Sequence, residues 1–350
     1  MDEQKVIDVE TVDIAEEAKD KAKSIYEALE EDIMNAKLPD GEKTKLLSKL
    51  IKNRSRQVNI MLVGSTGSGK SSTINAMFNM EVAKVGVGVN PETAAITKYE
   101  LENLIIWDTP GLGDSIAKDK QITKAIIGKL NEEDAEHKPL IDLVVVVMDA
   151  ASKDLGTSYK LINDVLVPCL GNEASKRILL GINQSDVAMK GKHWDAVKNE
   201  PDAVLLEFLK KKAASVQARI KEATDLDIVP IYYCAGYKEE GGEQCKPYNL
   251  TKLLYHLVLL IPQEKRLALV DNIRVEKDNW AHDDREEDYL EATEKSFGET
   301  VLDSLWDGAE LGVEVGGKAL GIPGKLLGGL MGGTMGILHG IFRAFANAVE

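Results

Sequence analysis

The chain has 350 residues, 44% of them hydrophobic, enough to bury one sizeable core and leave flanking elements outside it. A formal net charge of -15 argues against a general nucleic-acid binder, because phosphate backbones reward dense Lys and Arg. The three cysteines, Cys169, Cys234 and Cys245, lack the paired spacing of a zinc site or disulfide framework, and the opening MDEQKVIDVETVD lacks the pattern of a secretory leader, so a cytoplasmic protein with reduced thiols is expected.

From residue 13 to 37 apolar side chains recur at helical spacing (Ile14, Ala18, Ala22, Tyr26, Leu29, Ile33) and predict a helix, which LPDG at 38–41 turns into a second helix over about 42–54. Short β-rich runs then alternate with helical stretches: VNIMLVG, LIIWD, LVVVVMD, RILLGIN and IVPIYYC. This alternation predicts an α/β fold in three layers, a mainly parallel sheet covered by helices. The unbroken LVVVVM fits a central strand buried on both faces. ITKYEL ahead of LIIWD reads as an antiparallel hairpin at one edge. A helix from Leu250 to about Leu260 closes the fold, the charged stretch from Gln263 to about Phe297 is expected to be helical, and composition changes again at Gly308. The segments expected are 1–56 (a helical hairpin), 57–262 (the α/β domain), 263–307 (charged and helical) and 308–350 (Gly-rich and helical).

The stretch GSTGSGKSS satisfies G-x-x-x-x-G-K-S, and it follows the strand NIMLVG and opens the helical SSTINAMFN. That order separates a phosphate loop from a Gly/Ser-rich surface turn. Gly64, Ser65, Thr66, Gly67, Ser68 and Gly69 are expected to curl their N–H groups around phosphate oxygens, aided by the helix N-terminus. Lys70 would reach the β- and γ-phosphates and Ser71 would ligate magnesium.

In LIIWDTPGLGDS, Asp108 at a strand tip can hold magnesium and Gly111 can swing its N–H onto a γ-phosphate. In RILLGINQSD, Asp186 can accept from N1 and the exocyclic amine of guanine, a pattern adenine lacks, although an Asp there also suits a helix cap. Cys234 and Ala235 in YYCAGY can offer backbone N–H groups to the guanine O6.

In this order, GSTGSGKSS, DTPGLG, NQSD and CAG resemble the G domain of the translation-factor-related P-loop GTPases, in their Era-like branch. The nearest likeness is to bacterial members often labelled ribosome-binding GTPases, over about residues 38–262. The resemblance implies GTP and GDP as ligands and Mg2+ as cofactor. It makes Lys70 and Ser71 phosphate and magnesium contacts, Ser72 an α-phosphate contact, Asp108 and Gly111 the second switch, and Asn183 with Asp186 the base readers. Gln184 stands where N-K-x-D usually has Lys, which weakens packing over the purine. For the first switch, Thr93 and Thr97 in VGVGVNPETAAITKYE both qualify to close over magnesium; Thr93 is preferred because Thr97 already falls in a strand pattern.

Leu112 stands where a water-orienting Gln follows the switch glycine in Ras-type proteins. Gly67 stands where potassium-stimulated relatives carry Asn, and no arginine lies between Phe78 and Thr97. Slow intrinsic hydrolysis is expected, with Lys70, Thr93 and Gly111 as the catalytic set and acceleration by self-association or another protein.

In the tail, Gly308, Gly312, Gly316, Gly324, Gly328, Gly332, Gly336 and Gly340 keep a four-residue register that only Leu320 interrupts. A helix would gather them into a ridge of small residues, and the uncharged run from Leu326 to Phe342 approaches the ~17-residue minimum for a membrane span. Three readings stand: a glycine-zipper segment that associates with a membrane, peripherally on its inner face, or with further copies of the chain; a hairpin docked on the α/β domain; and a mobile tail. The first is preferred. The whole chain is accordingly expected to be a GTP-hydrolysing switch with a protein effector or activator. A ribosome- or RNA-associated assembly GTPase and a septin-like structural protein are the other readings.

Overall fold

The computed structural model describes residues 24–36, 38–78, 96–236, 245–274 and 276–305, with 10–13, 277 and 301–305 given by their backbone alone. Thr93 and the glycine register of the tail lie outside the described residues.

The main sheet is ordered β1 (Glu10–Asp13), β3 (Thr97–Leu101), β4 (Leu104–Asp108), β2 (Val58–Gly64), β5 (Leu143–Asp149), β6 (Ile178–Asn183) and β9 (Ile231–Tyr232), and β7 (Trp194–Asp195) pairs with β8 (Glu200–Pro201) outside it. Its centre is β2 (Val58–Gly64), every residue of which is buried, beside β5 (Leu143–Asp149), buried up to its last residue. Successive side chains of a strand face opposite sides, so the unbroken apolar runs serve two cores. Ile60, Leu62, Val145 and Val147 pack on one face with α1 (Ile25–Asn35), α2 (Asp40–Arg54), α3 (Lys70–Met77) and α9 (Leu250–Leu260). Met61, Val63, Val144 and Val146 pack on the other with α4 (Ile116–Leu130) and α8 (Ala203–Thr224). Strands β4 (Leu104–Asp108), β5, β6 (Ile178–Asn183) and β9 (Ile231–Tyr232) run parallel, and the register sets Leu62 beside Asp108 and Asp149 beside Asn183. Their C-terminal ends therefore meet along one border.

The flanks depart from the sequence pattern. Of the helix expected over 13–37, the described part is α1 at Ile25–Asn35, residues 14–23 lying outside the described residues, while β1 (Glu10–Asp13) pairs parallel with β3 (Thr97–Leu101). The β3–β4 hairpin is antiparallel as expected, but β1 moves it away from the sheet edge. The second helix begins within LPDG, at Asp40, because Pro39 takes the N-cap position and fixes an extended backbone before it. The stretch from Gln263 to Phe297 is not one helix. Leu267, Leu269, Ile273 and Trp280 insert into the core, and Asp284 accepts from Tyr232, Tyr289 and Lys252. Only at α11 (Tyr289–Leu305) does a long helix form. Among the described residues no helix is long and apolar enough to cross a membrane.

Ser24 shows how the first helix is locked to this later stretch. It forms a capping box with Glu27, and Asp271 accepts from both Ser24 Oγ (2.6 Å) and Ile25 N (2.7 Å). Ser24→Ala removes the cap and one of these bonds, and should cost about 1 kcal/mol in urea unfolding. An unchanged midpoint would show that the cap does not hold the flank.

Candidate functional site

After β2 the chain turns through Gly67 (φ 75°) and Gly69 (φ 88°), a left-handed backbone that only glycine adopts freely, and enters α3 with no side chain capping its first turn. Uncapped N–H groups at a helix start are donors for an anion. Lys70, 8% exposed, bends its ammonium back to the carbonyls of Gly64 (3.4 Å) and Ser65 (3.3 Å). Burial pulls its pKa down, opposed by the charges of Asp108 and Asp114. Ser72 follows as the third residue of α3.

At the tip of β4, Asp108 accepts from Ser71 Oγ at 2.9 Å. Burial pushes its carboxyl up, while Lys70 and Ser71 hold it down. Its other oxygen, Oδ1, is buried and has no hydrogen-bond partner among the described residues. A buried carboxylate oxygen left open beside a hydroxyl and a lysine suits a hydrated divalent cation. Thr97, the alternative first-switch residue, begins β3 opposite Asp108, within the ladder.

Beyond β4 the parallel pairing continues past the strands. Leu112 N donates to Gly64 O (3.1 Å), Thr66 N donates to Leu112 O (2.9 Å), and Thr66 Oγ1 donates to Asp114 (2.8 Å). Gly111 lies so close to the Thr66 backbone that a Cβ there would collide with it. Leu112 is 5% exposed in the core and cannot orient a water.

From β6, Asn183 Nδ2 donates to Ser68 O (3.0 Å) and Gln184 Nε2 donates to Gly67 O (2.7 Å) from a left-handed backbone (φ 64°). Gln184 thus holds the loop by an amide rather than an ammonium. Burial first, then the charge and hydrogen bond of Asp186, hold the Cys234 thiol well above its ordinary range, so it is a protonated donor facing that carboxylate. The two backbone donors expected for guanine O6 are engaged inside the chain: Cys234 N by Tyr248 O in a β-bridge, and Ala235 N by Asn183 Oδ1 (3.0 Å). A side-chain acceptor can turn away, whereas the bridge is backbone on both sides, so Ala235 is the better candidate of the two.

The structure therefore gathers Gly64 to Ser71, Asp108, Gly111, Asn183, Gln184, Cys234 and Ala235 along one border of the sheet. Sequence reasoning missed the Thr66–Asp114 bond and a buried contact between Thr73 and Tyr233 (2.7 Å), pairs far apart in sequence with no local pattern to reveal them.

A protein-family model described as 50S ribosome-binding GTPase matches residues 59–184. The chain is 27% identical over 161 residues to YkfA of Escherichia coli (strain K12), covering 44% of this chain and 50% of that protein. It is 35% identical over 102 residues to translocase of chloroplast 108 of Physcomitrium patens, covering 28% of this chain and 10% of that one. The structure is similar to that of Toc33 from Arabidopsis thaliana in complex with Mg2+ and GMPPNP, with a TM-score of 0.40, 16% identity, and coverage of 65% of this chain and 95% of that one. The chain spans half or less of the length of the curated relatives it matches. The family match is confined to residues 59–184, which hold the phosphate loop, Asp108, Gly111, Asn183 and Gln184.

Proposed function

We propose that the chain is a GTP-binding and GTP-hydrolysing switch that acts at a membrane surface or in an oligomer through its C-terminal additions. The observation that carries the nucleotide reading is the meeting of Lys70, Ser71 and Asp108 with a base loop whose Asn183 and Gln184 are hydrogen-bonded to the phosphate-loop carbonyls. In this reading Asp186 accepts from guanine N1 and its amino group, and Ala235 N–H turns from Asn183 to the base oxygen. The Lys70 ammonium and the first-turn amides of α3 stabilise charge on the β- and γ-phosphates. Ser71 and Asp108, with Thr93 from outside the described residues, would hold Mg2+, which neutralises charge on the phosphate oxygens when bound. Gly111 brings its backbone to the γ-phosphate. Leu112 places no water, so intrinsic turnover is slow and a partner must supply that function.

The membrane or oligomer part rests on the glycine register from Gly308 to Gly340 and the uncharged run before Arg343. The description of the matching family favours a second reading, an assembly GTPase on the ribosome, which the net charge of -15 opposes. The purified chain should release phosphate from GTP and not from ATP. It should float with liposomes or form oligomers, whereas a chain ending at Asp307 should bind GTP yet do neither. No release from GTP removes the enzyme reading. A full-length chain that stays monomeric and sediments away from lipid with both nucleotides removes the membrane and oligomer reading, and co-sedimentation with ribosomes would replace it.

A further inference from the structure

Beneath the phosphate loop, two buried side chains join the base loop to the first peptide of α3. Thr73, 2% exposed, donates from Oγ1 to Gly69 O at 2.8 Å, and its backbone N–H donates to the same oxygen at 2.9 Å. The Thr73 hydroxyl has one proton, and a carbonyl can only accept, so in the 2.7 Å contact with Tyr233 the phenol is the donor. The chain of bonds runs Tyr233 O–H to Thr73 Oγ–H to Gly69 O. Tyr233 is fully buried, and its ring has room because residue 181 is glycine: a Cβ there would come within 2.8 Å of the ring. At its other end Tyr233 belongs to the base loop, with its N–H on Ile182 O (2.8 Å) and its carbonyl accepting from Ser185 N (3.2 Å).

The Gly69 carbonyl and the Lys70 N–H are the two ends of one planar peptide group. Two donors on the carbonyl draw electron density toward oxygen and make the N–H at the other end a stronger donor. That N–H belongs to the uncapped first turn of α3. We infer that Tyr233 and Thr73 are positioning residues that orient and polarise the Gly69–Lys70 peptide for a nucleotide phosphate and tie it to the base loop. The inference rests on the nucleotide reading of this site and adds to it two residues that touch neither base nor phosphate.

The test compares wild type, Tyr233→Phe, Thr73→Val, the double variant and Thr73→Ser, measuring binding of GDP and, by competition, of guanosine, which lacks phosphate. Tyr233→Phe and Thr73→Val should each weaken GDP about three- to tenfold and leave guanosine unchanged. Thr73→Ser, which keeps the hydroxyl, should restore GDP binding. Thr73→Val alone strands a buried phenol, but the double variant replaces both partners by apolar groups and should regain wild-type thermal stability. Its GDP binding should stay as weak as that of the weaker single variant, since both changes break one relay. A structural role alone predicts the opposite, GDP binding recovering with stability, and that result overturns the inference. So does a loss of guanosine in proportion to GDP, or GDP binding by the variants equal to that of wild type. Wild-type protein that binds no GDP overturns the nucleotide reading and the relay together, whereas wild-type binding matched by the variants overturns the relay alone.

Discussion

Asp186→Asn should lower GTP affinity by roughly 100-fold or more while xanthosine triphosphate gains. The carboxylate accepts two charge-assisted bonds from the guanine edge, and an amide in its place offers a donor where the base also presents donors. Xanthine carries an oxygen where guanine carries the amine, so the new donor finds an acceptor. The surroundings favour a clean exchange: the Cys234 thiol faces Asp186 as a protonated group, and Asn183 and Gln184 keep their own bonds to Ser68 and Gly67. Calorimetry with both nucleotides on both proteins checks this. Equal GTP binding by wild type and variant would sink the assignment of Asp186 as the base reader.

Lys70→Ala should reduce phosphate release from GTP by about 100-fold or more. The ammonium is buried, and its pKa is drawn down by that burial. The same change removes a charge that holds the buried Asp108 carboxyl down, so that group shifts toward its neutral form. Gly64 O still accepts from Leu112 N, and Ser65 O still accepts from Ser68 N, so neither carbonyl is stranded. Release assays paired with thermal unfolding separate the two effects. Undiminished magnesium-dependent release by a folded variant would mean that the chemistry occurs elsewhere.

Legibility in the sequence followed the range of the interactions. β2, β4, β5 and β6 were readable because strands buried on two faces need unbroken apolar runs, and VNIMLVG, LIIWD and LVVVVMD meet that need locally. The phosphate loop was readable because its glycines and Lys70 are adjacent in sequence. β1 was not: ETVD has a single apolar residue, and pairing with Thr97–Glu100 decides its conformation. Trp280 and Asp284 sat within a charged run that reads as solvated, yet one enters the core and the other accepts from Tyr232 and Lys252 in distant elements. The ties of Gln184 to Gly67 and of Tyr233 to Thr73 span well over a hundred residues and leave no periodic trace. The amide of Ala235 read as free because its partner, Asn183, is set by the folded geometry.

The short outer strands of the sheet bear on how copies of this chain could join. With β1 in place, the described sheet ends in a four-residue strand on one side and in the two-residue β9 on the other. Strand addition needs a long row of open amides and carbonyls, and among the described residues neither border offers one. A polymer grown by extending the sheet from molecule to molecule is therefore a poor fit to this architecture. Association between copies through helical faces or loops would instead follow side-chain chemistry, open to tuning by single substitutions in a way that backbone pairing is not.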